Sequence, residues 1–351
     1  MMSFVLLPLY TDLLPTQEYG KVSIIFAWIV VFNVILAYGM ETAFFRFYHD
    51  DKTKSSVKGT SALSIAISSI IFLGLALYLK SHLASLINID VKYITFVIWI
   101  LVLDALVIIP FSILRAKGKS MLYSILKIVN VAINLGLNVF FLVILKDLIN
   151  PSKEVFWNSI WFSGAEVSYI FISNLIASLL TLLMLVPLYF KIKLRINFSL
   201  LKKMLRFGFP VMIAGLAYAV NETFDRILLD YLLPSETAES QIGAYAACYK
   251  LALFITLFAT AFRLGIEPFF FSHSKEKNSQ ETYALITKYF VLIGLGILLS
   301  VIVFIDVLKE LFIRDESYWE AMTVVPYILL ANLCLGIYFN LSVWYKITDR
   351  T

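Results

Sequence analysis

The chain has 351 residues, of which 60% are apolar, 15% are aromatic and 15% are charged, with a formal net charge of +5. A soluble chain of this length carries roughly a quarter charged residues, so the composition excludes an ordinary cytosolic enzyme. Glycine (14) and proline (9) are too scarce for a disordered or fibrous chain. The class that remains is a multi-pass membrane protein.

Apolar runs of about 20 residues, the length at which a helix crosses about 30 Å of hydrocarbon, divide the whole chain. A transmembrane β-barrel would show alternating segments of about 10 residues instead. The fold class is therefore an all-α polytopic membrane protein with about nine complete spans and one partial span. The complete spans are predicted at 21–40, 59–79, 93–114, 120–145, 166–190, 208–233, 242–264, 283–305 and 321–345.

The two ends of the sequence differ from the spans between them. Residues 1–9 are apolar but fill less than half a span, and they lack the basic start and small-residue cleavage site of a signal peptide. We interpret them as the back half of a helix. The chain stops in a polar turn at 346–351. We therefore expect both ends to be cut, and a complete second half to need at least two more helices.

The distribution of basic residues predicts the orientation. One alternating set of loops holds 17 Lys and Arg residues, whereas the other set holds 6. The positive-inside rule places the basic set in the cytoplasm. The stretches 10–20 and 232–242 then face outward, and the N-terminus is cytoplasmic.

An internal repeat joins the two halves of the chain. The segment LLPT at 13–16 matches LLPS at 232–235, and each precedes a glycine, Gly20 or Gly243, and a new span. Six spans separate the copies, so both have the same orientation. This arrangement is a parallel repeat, which is typical of secondary transporters.

The repeat predicts two pseudo-repeated helical lobes around a central cavity. The N-terminal lobe comprises residues 1–190, and its first helix is partial. A cytoplasmic basic linker follows at 191–206. Residues 207–351 form an incomplete C-terminal lobe of four helices.

Polar side chains mark one face of the span 120–145. Lys127, Asn130, Asn134 and Asn138 are spaced by three, four and four residues, which places them on one arc of a helix. One interpretation is a cationic, hydrogen-bonding wall of a hydrated cavity. The other is a packed helix interface joined by amides.

Charged residues also occur within the spans of the second half. The span 208–233 carries Asn221, Glu222, Asp225 and Arg226 toward its outer end, and Lys250 lies at similar depth on the next span. Glu222 and Arg226 are i, i+4 neighbours that can neutralise one another. Such a couple is either structural or part of a gate that breaks and reforms.

A second set of charges lies nearer the cytoplasm. Arg263 and Glu267 form another i, i+4 couple, and Glu41 occupies the equivalent place in the first copy, with Arg46 just beyond. Asp104, near the middle of its span, has no partner nearby in sequence. Because a charge in the bilayer costs a few kcal/mol, Asp104 is either a proton- or ion-linked carboxylate or a packed, neutral side chain.

The sequence lacks catalytic and metal-binding patterns. Gly118-Lys119-Ser120 resembles the tail of a phosphate-binding loop, but the glycine expected five residues earlier is replaced by Ile113. The three histidines lack metal-ligand spacing. The basic residues lie beside spans, where orientation explains them better than nucleic acid does. We therefore expect no enzyme, no cofactor, no metal and no nucleic-acid partner.

Several loose motifs in a fixed order resemble the bacterial polysaccharide or O-antigen flippases of the multidrug/oligosaccharidyl-lipid/polysaccharide exporter superfamily. These motifs are LLPLY at 6–10, PTQEYG at 15–20, YGMETAFFRF at 38–47, FGFP at 207–210, DRILL at 225–229 and GAY at 243–245.

The resemblance implies flipping of an undecaprenyl-diphosphate-linked oligosaccharide across the bacterial inner membrane by alternating access, for cell-surface polysaccharide biosynthesis. Its implied partners are the lipid-linked oligosaccharide, the bilayer, a polysaccharide polymerase and glycosyltransferases. The alternatives are a drug/cation antiporter of the same superfamily, a membrane polymerase or ligase acting on lipid-linked glycans, and a non-transporting scaffold.

With such a substrate, the polar residues acquire candidate roles. The candidates for binding phosphate are Lys127, Arg226, Lys250 and Arg263, and those for binding sugar hydroxyls are Asn130, Asn134 and Asn138. The candidates for gating or ion coupling are Glu41, Arg46, Asp104, Glu222, Asp225 and Glu267.

Overall fold

The structure is a computed structural model that describes residues 2–48, 53–87, 89–148, 164–272 and 279–347. Within these ranges the regular structure is entirely helical, with no strand. Eight helices are long and apolar enough to cross a membrane, and a bent pair makes a ninth candidate. The predicted all-α polytopic fold class is thereby confirmed.

The described helices are α1 (Met2–Val5), α2 (Leu7–Leu13), α3 (Thr16–Ala37), α4 (Met40–Tyr48), α5 (Lys54–Tyr78), α6 (Lys80–Leu86), α7 (Val91–Ala116), α8 (Ser120–Val139), α9 (Leu145–Leu148), α10 (Glu166–Tyr189), α11 (Phe198–Leu232), α12 (Ala238–Leu251), α13 (Leu253–Ser272), α14 (Ser279–Val303), α15 (Ile305–Phe312) and α16 (Val325–Ile347). A π-helical segment, Phe140–Ile144, joins α8 to α9, and a 3₁₀ helix, Glu316–Val324, precedes α16.

The chain divides into two compact units. The larger unit comprises residues 21–233, and the smaller unit comprises residues 3–20 and 234–351. This division differs from the predicted lobes, since α11 packs against α4 and α5 and so belongs to the larger unit. The lobes at 1–190 and 207–351 stay a prediction.

The larger unit is built around α7. This helix is apolar on all sides, as expected of a helix that has neighbours all round, and it packs against α5 and α10. Its buried side chains include Ile100, Leu101, Ile109 and Ile113, each no more than 2% exposed. The polar side chains of α7 therefore have to find their partners on the neighbouring helices.

Helix α11 begins ten residues before the predicted start of its span at 208. Asn197 caps it, because its side chain accepts a hydrogen bond of 3.1 Å from the backbone N–H of Leu200. Lys202, Lys203 and Arg206, which were predicted to lie in a basic linker, are therefore helical.

A break at Tyr38 and Gly39 separates α3 from α4, within the predicted span 21–40. Both residues have positive φ, 32° and 68°. A Cβ atom at Gly39 would also overlap the backbone carbonyl of Gly208 on α11. Only glycine satisfies both the backbone conformation and this close approach. The break places Glu41 in the first turn of α4.

In the smaller unit, α3 and α12 cross at Gly20 and Gly243, the two glycines that occupy equivalent places in the repeat. A Cβ at Gly20 would overlap the carbonyl oxygen of Glu239, and a Cβ at Gly243 would overlap that of Thr16. Each glycine thus contacts the residue four positions before the other. The Thr16 and Ser240 hydroxyls are 2.7 Å apart beside this crossing. The close approach of α3 and α12 depends on the absence of both side chains.

The predicted span 242–264 is two helices, not one. α12 and α13 meet at Ala252 with a bend of 44°. The Ala252 carbonyl accepts a hydrogen bond of 3.4 Å from the Asn332 side chain on α16. Because a neighbouring helix supplies this donor, the break leaves that carbonyl satisfied.

Gly20→Ala and Gly243→Ala should each destabilise the protein by about 1–3 kcal/mol, because the added methyl group overpacks the crossing. Thermal unfolding of the purified protein in detergent measures this effect. Gly296→Ala is the matched control in the same unit, since a Cβ there meets nothing within 4 Å. Equal melting temperatures for all three variants would contradict the prediction.

Candidate functional site

A cavity of about 360 Å³ lies within the larger unit. Its volume falls in the range of about 300–1,000 Å³ that is typical of small-molecule sites. Five helices contribute to its walls: α3, α4, α7, α8 and α10. The lining residues are Asn33, Glu41, Asp104, Val107, Ile108, Phe111, Tyr123, Lys127, Asn130, Asn174, Ser178 and Thr181.

One polar wall of the cavity comes from α10. Asn174, Ser178 and Thr181 are spaced by four and three residues, so they share a helix face. Thr181 accepts a hydrogen bond of 2.8 Å from the Asn130 side chain on α8 and donates one of 2.8 Å to the carbonyl of Ala177. The polar faces of α8 and α10 are thus joined at the cavity.

Asp104 faces the cavity from α7. Its carboxylate accepts a hydrogen bond of 2.8 Å from the Ser178 hydroxyl, and Asn33 on α3 donates a second. Lys127 on α8 is its charged neighbour. An Asp with no partner nearby in sequence therefore has hydrogen-bond donors on α3 and α10 and a basic neighbour on α8.

Lys127 lines the cavity and is exposed. Its ammonium lies 4.7 Å from the centre of the Phe111 ring, which is within cation–π range. The remaining donors of the ammonium are available to a bound anion.

Glu41 enters the cavity wall from the first turn of α4, where the helix dipole favours a negative charge. It forms an ion pair with Arg115, which lies in the last turn of α7. The Arg115 guanidinium also lies 4.7 Å from the Phe45 ring and 5.4 Å from the Tyr123 ring. Arg115 was not among the predicted site residues.

The predicted polar face of α8 divides into two parts. Lys127 and Asn130 line the cavity. Asn134 and Asn138 are buried farther along the helix, where the Asn138 amide donates to the Asn134 carbonyl (2.8 Å) and to its side-chain oxygen (2.7 Å). Lys127 and Asn130 therefore line the cavity, whereas Asn134 and Asn138 hydrogen-bond to each other within α8. The roles predicted for this face stay predictions.

The charged residues of α11 do not line this cavity. Arg226 is buried, donates to the backbone carbonyl of Glu222 at 3.2 Å and lies 3.8 Å from the Asp225 carboxylate. Glu222 and Asp225 are half-buried. This hydrogen bond to Glu222 runs through its main chain. The side-chain couple that the sequence predicts stays a prediction.

The remaining candidates are dispersed. Arg46 stacks on Phe207 at 4.3 Å. In the smaller unit, Lys250 is half-buried on α12 and Arg263 lies 5.0 Å from the Phe339 ring. The side chain of Glu267 lies outside the described residues. Their predicted roles stay predictions.

Basic side chains cluster at the predicted cytoplasmic end of the larger unit. Burial, together with the charges of Lys58, Lys119 and Lys191, lowers the pKa of Lys117 from its ordinary value. An anion bound among these lysines would relieve their mutual repulsion. In the described part of the chain, no three His, Cys, Asp or Glu residues converge to hold a metal ion.

Residues 1–263 match the family model described as polysaccharide biosynthesis protein. No curated protein matches the sequence. The fold is similar to that of an inward-facing multidrug resistance MATE family transporter of the MOP superfamily, with a TM-score of 0.73 at 14% identity over 100% of this chain and 82% of that one. It is also similar to a MATE protein in complex with MaD3S (TM-score 0.64, 15% identity, covering 99% and 79%) and to a Vibrio cholerae MATE transporter (0.58, 13%, covering 99% and 80%).

Thr181→Val should destabilise the protein by about 1–3 kcal/mol, because it leaves the buried side of the Asn130 amide without an acceptor. Thr181→Ser keeps the hydroxyl and should retain most of the stability. Thermal unfolding of the two variants in detergent distinguishes them. A valine variant that unfolds no earlier than the serine variant would show that the hydrogen bond contributes nothing.

Proposed function

Because the chain belongs to the polysaccharide biosynthesis protein family and its fold is similar to that of a MATE family transporter of the MOP superfamily, we propose that it is a membrane transporter that flips a lipid-linked oligosaccharide. The substrate is an oligosaccharide on undecaprenyl diphosphate, and it moves from the cytoplasmic to the outer leaflet of a bacterial inner membrane. The N-terminus of the chain is then cytoplasmic, and the glycan serves cell-surface polysaccharide synthesis.

The observation that carries this proposal is the chemistry of the cavity wall. Lys127 supplies a cation for phosphate, and its point charge suits that partner. Asn130 and Asn174 supply amides for sugar hydroxyls, and the rings of Phe111 and Tyr123 supply flat surfaces. At about 360 Å³ the cavity suits the diphosphate and the adjoining sugar, while the prenyl chain stays in the bilayer.

The same wall argues against a drug/cation antiporter. A site for an organic cation needs a carboxylate whose charge is available. Here Glu41 is paired with Arg115, and Asp104 is hydrogen-bonded by Ser178 and adjoins Lys127. Because each acid of the cavity has a basic neighbour, a substrate that brings its own negative charge fits better.

The proposal includes alternating access, and the crossing of Gly20 and Gly243 supports it. The positive-inside rule places this crossing at the outer ends of α3 and α12. Their close approach would close the outward side. Transport would then require the crossing to separate.

The transport proposal is tested by replacing Lys127. Lys127→Ala in the full chain should lower flipping of a lipid-linked oligosaccharide in proteoliposomes by about 10-fold or more, because a hydrogen bond to a charged group contributes about 1.5–3 kcal/mol. Lys92→Ala is the control, since Lys92 lies at the end of α7 with half its side chain exposed beside Asp90. Unchanged flipping by Lys127→Ala, or efflux of cationic drugs without glycan flipping, would refute the proposal.

Alternating access is tested by cross-linking α3 to α12 where they cross. A double variant, Thr16→Cys with Ser240→Cys, should lose flipping on oxidation and regain it on reduction, because the two hydroxyls that the cysteines replace are 2.7 Å apart. Each single variant should be insensitive to oxidant. Full activity of a double variant shown by mass spectrometry to be cross-linked would exclude separation at this point.

A further inference from the structure

We propose that Arg115, which contacts the cavity residues Glu41 and Tyr123, is a second phosphate-binding residue beside the cavity. Glu41 occupies its guanidinium as an internal competitor until a diphosphate replaces it. This inference rests on the proposed function, because it names the residue that receives the anionic part of the substrate. The ligand chemistry is a phosphate or diphosphate group.

The hydrogen bonding of Arg115 is incomplete in a way that an oxyanion would complete. Nη2 donates to one carboxylate oxygen of Glu41. The neighbouring Nε is buried and has no hydrogen-bond partner among the residues that the structure describes. Nε and Nη2 form one edge of the guanidinium, which binds phosphate through two parallel hydrogen bonds. Glu41 therefore uses half of an edge that a phosphate would use entirely.

The orientation of the guanidinium is fixed before any ligand arrives. Arg115 lies over the Phe45 and Tyr123 rings, at 4.7 and 5.4 Å from their centres. Stacking on aromatic faces leaves the in-plane N–H groups free to bind an anion. The ordering entropy of a long side chain is thus largely lost already, which favours binding.

Lys127 and Arg115 each contact one ring of the same aromatic pair. The Phe111 and Tyr123 rings are 5.3 Å apart; Lys127 contacts the first ring and Arg115 the second. Both rings line the cavity. The aromatic pair thus holds two cations beside the cavity, and both attract a substrate that carries negative charge.

The ion pair that must open is accessible. The Arg115 and Glu41 side chains are 36% and 47% exposed, and ion pairs as exposed as this contribute little to stability. A diphosphate offers more charge and a second hydrogen bond, so it can replace Glu41. The released carboxylate stays in the first turn of α4, where the helix dipole favours it.

The competition predicts opposite effects of the two partners on binding of inorganic pyrophosphate. Measured by calorimetry on the full chain in phosphatidylcholine nanodiscs, Glu41→Gln should lower the Kd about 5- to 10-fold, because the competing charge is removed. Arg115→Gln should raise it at least 10-fold. The double variant should bind as weakly as Arg115→Gln alone, since Glu41 acts through Arg115.

Asp12→Asn is the matched control. It removes the acid from an ion pair of similar exposure, Arg314 to Asp12 at 3.3 Å in the smaller unit, and should leave the Kd unchanged. Arg115→Lys keeps the positive charge but lacks the two parallel donors of the guanidinium edge, so it should give an intermediate Kd. This result would distinguish loss of those donors from misfolding. Nanodiscs containing phosphatidylglycerol form a second arm: weaker pyrophosphate binding there would identify a phospholipid headgroup as a competing source of the phosphate.

If the Kd for pyrophosphate is unchanged or higher in Glu41→Gln, Glu41 does not compete for Arg115, whatever the flipping assay shows. If pyrophosphate binds more tightly to this variant but no lipid-linked glycan is flipped, the phosphate-binding role of Arg115 is supported and the proposed substrate is wrong. If Lys127→Ala abolishes flipping while Glu41→Gln binds pyrophosphate as the wild type does, the transport function stands and the competition fails.

Discussion

The structure depends on one constraint: a polar group inside a membrane must find its partner within the protein. Asp104 shows the consequence, since α3, α8 and α10 each supply it with a hydrogen-bond donor or a charge. Satisfying one carboxylate gathers polar side chains from several helices into one place. The cavity lies where these side chains meet, so the requirement that stabilises the helix bundle also creates the polar site.

The sequence predicts the spans well because hydrophobic length is a local property. The interruptions are different, since each depends on a distant partner. The bend at Ala252 is satisfied by Asn332, and the break at Gly39 fits against Gly208. The start of α11 was missed for a simpler reason: Asn197 is a local capping signal that the apolar pattern of the span concealed.

The site could be predicted in part. Helical spacing correctly groups Lys127 with Asn130 but gives only the angle around the helix, so it cannot separate them from the deeper Asn138. The spacing of residues 174, 178 and 181 on α10 carries the same signal and identifies the part of the wall that α10 contributes. Arg115 could not be recognised, because a basic residue at the end of a span satisfies the positive-inside rule whether or not it has another role.

The reciprocal contact of Gly20 with Gly243 has the form of an isologous interface, in which residue i meets residue j and j meets i. Within a single chain, such a contact is what fusion of a symmetric dimer would leave at its two-fold axis. Neither position can acquire a side chain without obstructing the other helix. The sequences of the two helices are therefore constrained jointly at these two glycines, however far the two gene segments diverge elsewhere.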